Sequence, residues 1–361
     1  MPRQDLNRRS VLYGTAVIGA ASLLARSRHA PTIGEAEGTV PWGTNVTTGT
    51  GEGGSAGSSP APGDGSAAAL PPPAGPGRAA AGPEGAGTFT NGLTGRVGAS
   101  LSPAALGART WSEAARKFDA RVGRPMAASA SRMFFSGVTL GSSADLVRAF
   151  VETGTSAVMS FRPSRIHSTT EIATLKRTIR ECQNAGLKID AICLWHEPND
   201  ITKKVVPFQT GAEYIDYVRY YGPAVVEMGV PLAYIPLVLT TDGALQESYF
   251  PGTTWRGKPL VTHIYPDFYC MSQYVQGVRM DASVRLADAY GLRLGLGEFG
   301  QTNSHRQASH SDFAAYMRYL RGVYAGRENR GSCIYWFGGS LGDPHRAGYD
   351  ELGTFYEALT A

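Results

Sequence analysis

The stretch IDAICLWHEPND, residues 189–200, contains the pattern that best indicates the fold. A mostly apolar run with the length of a buried strand comes first, and polar residues follow it at once from His196. Pro198 has no N–H to donate to a strand ladder, so the strand must end before it. Glu197 is therefore predicted to stand at the carboxyl end of a buried strand.

Short apolar runs of this kind alternate with amphipathic segments from Gly95 to the C-terminus. Ser168 with Glu171, and Thr210 with Glu213, have the spacing of capping boxes at helix starts, and Ser309 begins a third helix. The eight predicted strands are 96–101, 131–135, 156–161, 189–196, 232–240, 260–265, 292–297 and 332–337.

Eight strand–helix units between residues 95 and 361 fit one (β/α)₈ barrel, which typically has about 250 residues. An open, doubly wound sheet is the alternative that periodicity alone leaves open. The barrel is favoured because the polar residues cluster at the carboxyl ends of the strands. In a barrel all eight of these ends meet at one mouth.

Residues 7–13, NRRSVLY, resemble the twin-arginine export motif, which is an address read by a receptor. The apolar stretch 11–25 that follows has the length of a signal peptide and is too short for a comfortable membrane span. Residues 1–30 are therefore predicted to be a signal segment read by the twin-arginine machinery. The protein is expected to be secreted or associated with the cell envelope.

Residues 31–94 are dominated by Gly, Ala, Ser, Pro and Thr. Such a segment cannot bury enough apolar area to offset the entropy of ordering it, so it is predicted to be a disordered linker. The domain organisation is thus a signal segment over 1–30, a linker over 31–94 and a barrel over 95–361.

The formal net charge is +4, and the sequence contains no long Lys/Arg stripe. This argues against nucleic acid as a partner. The four cysteines form no CxxC pair and lack the spacing of a metal site. Most are predicted to be buried free thiols, and a single disulfide remains an alternative. No cofactor is predicted, and the protein is expected to be a monomer.

A second glutamate, Glu298, follows the seventh predicted strand in the run Gly297-Glu298-Phe299-Gly300. Strands 4 and 7 of a barrel face each other across the mouth, so Glu197 and Glu298 are expected to share it. Glycoside cleavage uses two carboxylates in this way, one protonated and one ionised. The alternatives are structural: a helix N-terminal carboxylate for Glu197, and an ion pair with Arg132 or Arg162 for Glu298.

The motif His196-Glu197-x-Asn199 after strand 4 and Glu298-x-Gly300 after strand 7 resemble the clan A glycoside hydrolases. Within that clan, the histidine directly before the first glutamate is similar to glycoside hydrolase family 26. More typical members have asparagine there. The resemblance implies a retaining mechanism on a polysaccharide, with Glu197 as general acid/base and Glu298 as nucleophile.

The sixth predicted strand ends in His263-Ile264-Tyr265-Pro266. His263 and Tyr265 have the same parity, so both side chains are expected to face inward. In the clan, a tyrosine or histidine of this strand lies beside the nucleophile. Tyr265 is therefore expected to hydrogen-bond Glu298.

Further substrate contacts are predicted at other strand ends. Trp336, near the end of strand 8, could form the floor of a sugar subsite, although tryptophan also fills cores. Arg162, which ends strand 3, could bind sugar hydroxyls or lower the pKa of a nearby carboxyl group. His196 and Asn199 flank Glu197. Asn199 could orient Glu197 or contact substrate, and a turn role is its alternative.

Two other functions are less favoured. A divalent ion could lie among His196, Glu197, His263, Asp267 and Glu298, but the first strand lacks the paired histidines that metal-dependent barrels often use. The alternative of another class is a non-catalytic carbohydrate-binding barrel of the cell envelope. Binding alone does not require a matched pair of carboxylates, which favours the enzyme.

Overall fold

A computed structural model describes residues 95–200, 206–301, 308–337 and 346–360, with side chains described from residue 348 in the last range. The predicted signal segment and linker lie outside these residues.

The described chain alternates strands with helices. The strands are β1 (Val97–Leu101), β2 (Ala130–Phe134), β3 (Ser156–Phe161), β4 (Lys188–Leu194), β5 (Leu232–Tyr234), β6 (Thr254–Trp255), β7 (Lys258–Pro259), β8 (Val261–Ile264), β9 (Asp267–Tyr269), β10 (Arg293–Gly300) and β11 (Arg330–Phe337). The α-helices are α1 (Trp111–Val122), α2 (Met126–Ser129), α3 (Ala144–Thr153), α4 (Thr169–Asn184), α5 (Gly211–Glu227), α6 (Ala244–Ser248), α7 (Asp281–Tyr290), α8 (His310–Tyr324) and α9 (Arg346–Thr360).

Eight of the strands form one parallel sheet in the order β1-β11-β10-β8-β5-β4-β3-β2, and β9 adds to β10. The two ends of this order lie against each other, since a Cβ atom on Gly98 would be 2.0 Å from the carbonyl oxygen of Ala130. The sheet therefore curls into a nearly closed barrel, with helices on its outer side. The predicted (β/α)₈ architecture is confirmed as a nearly closed parallel barrel with helices around it.

The barrel interior is filled by apolar side chains that alternate along the strands with residues facing the helices. Most of the inner side chains are small or medium in size, which a closed eight-stranded barrel requires. One buried cluster consists of Ala130, Val158, Ala191, Cys193, Ala233, Ile235, Tyr265 and Ile334.

The helix starts follow the capping residues. The Thr210 hydroxyl accepts the N–H of Glu213, whose carboxylate in turn accepts the N–H of Thr210, which is the predicted capping box. Ser168 also caps its helix, but the carboxylate of Glu171 accepts hydrogen bonds from Ser164 instead. The second capping box is therefore only half formed.

The strand boundaries differ most after β5. The predicted fifth strand, 232–240, pairs regularly only over Leu232–Tyr234. The predicted sixth strand shortens to Val261–Ile264, and the chain resumes after Pro266 as β9, which no prediction anticipated. The seventh strand, β10, extends three residues beyond its predicted end and so includes Glu298.

All four cysteines are buried and free, as predicted for most of them. Among the described residues, no helix combines the length and the apolar character needed to cross a membrane.

Candidate active site

Glu197 lies on a sharply bent segment directly after β4. Trp195 and Glu197 have φ angles of 64° and 50°, in the left-handed region that non-glycine residues rarely adopt. The Glu197 N–H donates to the carbonyl of Ile235 at 2.7 Å, which ties the bend to the end of β5. Strained backbone of this kind persists only where the surroundings hold it, and it clusters at functional sites.

Asn199 holds the same bend from the other side. Its Nδ2 donates to the carbonyl of Leu237 at 2.7 Å, and its Oδ1 accepts the N–H of Leu237 at 2.8 Å. The side chain is fully buried, and these two bonds tie it to Leu237. Of the two roles predicted for Asn199, it has no surface for a substrate contact and instead positions the segment that carries Glu197.

Glu298 lies at the carboxyl end of β10, with 7% of its side chain exposed. The Tyr269 hydroxyl donates to Oε2 of Glu298. Arg132 Nη2 lies 3.9 Å from the other oxygen, Oε1. The carboxylate is thus approached by a neutral donor and by a cation.

Arg132 is itself buried and held in place. Its Nη2 donates to the Ser160 hydroxyl at 2.9 Å, and its Nη1 lies 3.6 Å from Oδ1 of Asp267. Arg132 and Asp267 have no exposed side-chain surface, so each charge depends on the other for compensation. The ion pair of Glu298 with Arg132, which was the structural alternative for this residue, is present, and it coexists with the hydrogen bond from Tyr269.

Gly297 leaves the room for this arrangement. A Cβ atom there would lie 2.4 Å from Asp267 Oδ1, 2.6 Å from the Tyr265 carbonyl oxygen and 2.7 Å from Arg132 Nη1. The residue before the second glutamate must therefore lack a side chain.

Glu197 is more open than Glu298, with 15% of its side chain exposed. His196 Nε2 lies 3.9 Å from Glu197 Oε2, and Arg162 Nη2 lies 3.4 Å from the His196 ring at Nδ1. Burial lowers the pKa of Arg162, and the charge of Glu197 counteracts this more than any other neighbour. His196 and Arg162 therefore belong to the immediate surroundings of Glu197.

The two glutamates share one electrostatic environment. Burial raises the pKa of Tyr269 well above its usual value, and the charges of Glu298, Asp267 and Glu197 add to this. Tyr269 consequently keeps its proton and remains a donor to Glu298. Both glutamates also raise the pKa of Arg162.

Trp336 meets this group through Phe134. The Phe134 ring packs edge-on to the rings of Trp336 and His196, with centroids 5.5 Å and 5.1 Å away. The Arg132 guanidinium carbon lies 4.7 Å from the centre of the same ring. Trp336 is half-buried, as a sugar platform would be, whereas Trp111 packs on Phe150 between two helices.

The chain is similar to solved glycoside hydrolases. The catalytic domain of the GH26 endo-β-1,4-mannanase of Bacillus sp. JAMB-750 matches with 14% identity and a TM-score of 0.47, over 74% of this chain and 87% of that one. A glycoside hydrolase family 30 xylanase from Clostridium acetobutylicum matches with 13% identity and a TM-score of 0.45, over 73% and 72%. A glucosidase from Croceicoccus marinus matches with 11% identity and a TM-score of 0.48, over 68% of this chain and 59% of that one.

These neighbours include an enzyme of family 26, the family to which the histidine before Glu197 is similar. No protein-family profile and no curated protein match the chain.

The prediction that Tyr265 bonds Glu298 is wrong. Tyr265 is fully buried inside the barrel, and its hydroxyl donates to Asp190 Oδ2 at 3.3 Å. A glycine at position 331 accommodates the ring, because a Cβ there would lie 2.2 Å from a Tyr265 ring carbon. Tyr265 therefore has no surface for substrate.

His263 is also removed from the mouth. It pairs with Arg293, the first residue of β10, five residues before Glu298. At about 3.3 Å per residue this places it roughly 16 Å below the second glutamate. The predicted substrate contact is wrong, and the five residues of the alternative metal site are not brought together.

Tyr269 is the residue that sequence reasoning missed. β9 pairs with β10 in a register that sets Asp267 opposite Glu298 and Tyr269 opposite Gly300. The available signal was Pro266, which interrupts the strand, so that the chain reaches the level of Glu298 only in the segment after it. The aromatic run Phe268-Tyr269 after it marked a new strand.

Proposed function

We propose that this chain is a retaining glycoside hydrolase that acts on a β-linked polysaccharide. The observation that carries the proposal is the asymmetric setting of two glutamates at one barrel mouth. Glu298 is buried, accepts a hydrogen bond from Tyr269 and forms an ion pair with Arg132. Glu197 is more exposed and lies on a strained turn. A nucleophile needs the first setting, and a group that exchanges protons with substrate and water needs the second.

In the first step, Glu298 attacks the anomeric carbon while Glu197 gives its proton to the departing glycosidic oxygen. The carbon–oxygen bond to the leaving sugar breaks as the bond to Glu298 forms. In the second step, Glu197 takes a proton from water, and the water oxygen displaces Glu298. The product keeps the configuration of the substrate.

Tyr269 and Arg132 keep Glu298 oriented for this attack. Because Tyr269 stays protonated, it donates a hydrogen bond that stabilises the carboxylate and does not itself attack the substrate. As the carboxylate charge is lost in the covalent intermediate, Asp267 remains as a partner for Arg132. Trp336 and Phe134 offer an aromatic surface for a sugar ring beside them.

Changing the two glutamates separately tests their roles. Glu298→Ala should be inactive on both a polysaccharide and an activated aryl glycoside. Glu197→Ala should lose most activity on the polysaccharide but keep much of its first step on the aryl glycoside, since that leaving group needs no proton. Added azide should then give a glycosyl azide of retained configuration. An inverted wild-type product, or near-normal activity of Glu298→Ala, would rule out the assignment.

Export through the twin-arginine pathway remains part of the proposal, because Arg8 and Arg9 directly precede the apolar stretch. Replacing both with Lys should leave active enzyme in the cytoplasm. Fractionation of cells that express the two forms measures this, and normal secretion of the variant would count against the route.

A further inference from the structure

A second cleft lies on the outer side of the barrel, between helix α5 and the hairpin formed by β6 and β7. Its volume is about 420 Å³, within the range of small-molecule sites. The hairpin directly precedes β8, so its side of the cleft lies toward the amino ends of the strands. Glu197 and Glu298 lie at the carboxyl ends.

The hairpin places an arginine in an unusual backbone conformation. Arg256 and Gly257 connect β6 to β7 with φ angles of 50° and 73°. Two-residue turns with two positive φ angles usually carry Asn-Gly or Gly-Gly, because most side chains are strained there. The strain is retained here at a residue whose guanidinium carbon lies 5.4 Å from the centre of the Trp255 ring.

A second arginine reaches the same ring from α5. The guanidinium carbon of Arg219 lies 4.6 Å from the centre of Trp255, and its buried Nε has no hydrogen-bond partner within the described part of the chain. A guanidinium that packs on an indole can still present the edge formed by its two Nη groups. This edge suits the bidentate binding of a carboxylate or phosphate.

The acidic residues of the cleft already have partners. Asp216 Oδ2 lies 2.8 Å from His167 Nε2, and Glu227 Oε2 lies 2.6 Å from Lys176 Nζ. Lys176 is the main cause of the lowered pKa of Glu227.

The basic residues of the cleft do not have partners of this kind. Among the described residues, Arg219, Arg256 and Lys258 form no ion pair within 4.0 Å. Lys258 acts on Glu227 only from a greater distance. Three cations thus line the cleft beside two carboxylates, Asp216 and Glu227, whose close contacts are with His167 and Lys176.

We propose that this cleft binds the acid group of an anionic saccharide, a carboxylate or a phosphate. The three cations hold the anion, and Pro223, Val226 and Pro259 supply apolar contacts for the ring that carries it. The assignment of an anion stands on the cleft alone. Its attachment to a glycan rests on the proposed function.

Affinity electrophoresis in gels that contain polygalacturonate tests the proposal, with Glu298→Ala as the background so that no glycan is cleaved. The protein should be retarded, and adding Arg256→Gly with Lys258→Gln should weaken binding about tenfold or more. Arg256→Gly suits the turn, so folding should be preserved. The matched control combines Arg148→Gln with Arg177→Gln, two changes at residues 69% and 67% exposed on other helices, and should bind like the background protein.

Competition identifies the acid group. Displacement by free galacturonate at lower concentration than by inorganic phosphate supports a carboxylate, and the reverse order supports a phosphate. Equal retardation of the cleft and control variants would overturn the proposal. So would the absence of any retardation of the background protein by polygalacturonate. If retardation depends on the cleft but the unmodified enzyme cleaves no glycan, only the proposed function fails.

Discussion

At the scale of single residues, the site depends on which tyrosine meets the second glutamate. Two buried tyrosines lie four residues apart, and each donates its hydroxyl to a buried carboxyl group: Tyr265 to Asp190 and Tyr269 to Glu298. Only the second pair lies at the mouth of the barrel. The two residues therefore form a matched pair for separating an effect on catalysis from an effect on the core.

Tyr269→Phe should lower kcat/KM by roughly tenfold to a hundredfold, because a hydrogen bond to a charged group contributes about 1.5–3 kcal/mol. Tyr265→Phe should leave kcat/KM near that of the unmodified enzyme. Steady-state kinetics on an aryl glycoside, together with thermal melting of both variants, measures this. An equal loss of activity in both would mean that the Tyr269 hydroxyl has no specific role.

At the scale of secondary-structure elements, the local signals predicted where helices begin. Parity correctly placed His263 and Tyr265 on one face, but it did not show that the chain resumes as β9 after Pro266. Ser168, Thr210 and Ser309 cap helices as expected, since a cap is settled by a few neighbouring residues. The end of strand 6 depended on pairing with β10, which lies about thirty residues further on. The positions of the glutamates near strand ends were predictable, because each follows a buried apolar run and Pro198 ends the ladder after β4.

The close packing around Gly297 in β10 predicts the effect of adding a single methyl group there. Gly297→Ala should reduce both stability and activity, because its Cβ would overlap the Tyr265 carbonyl and the Arg132–Asp267 pair. Gly322→Ala is the control, since a Cβ at this position of α8 would meet open space. It should be neutral or stabilise the protein by up to about 1 kcal/mol. Chemical unfolding and activity assays compare the two, and a fully active, stable Gly297→Ala would contradict the packing argument.

At the scale of the whole molecule, the barrel contains two sets of buried polar residues at different levels. The mouth holds the charged network around Glu298, whereas the region near the amino end of β10 holds Asp190, Tyr265 and His263. The proposed catalytic role uses none of these three residues. Their contribution should therefore be to stability and to its dependence on pH.

His263 and Asp190 act on that dependence with opposite signs. Burial, with a smaller contribution from Arg293, lowers the pKa of His263 from 6.5 to about 3. The unfolded chain takes up this proton first, so His263 removes stability as pH falls from about 6.5 to about 3. Burial raises the pKa of Asp190 above 3.8, so its contribution is complete below that pH and is lost as pH rises through the folded-state value.

In mildly acidic solution these two contributions oppose each other and partly cancel, so removing either residue should change the slope. In His263→Gln the histidine contribution is absent, so stability should fall less steeply, by up to about 1.4 kcal/mol per pH unit between pH 6.5 and 3. In Asp190→Asn the fall on acidification should become steeper, because the opposing gain is lost. Urea unfolding across this pH range measures both slopes. Parallel curves for the unmodified protein and His263→Gln would show that His263 takes up its proton in the folded state as readily as in the unfolded chain, contrary to its burial.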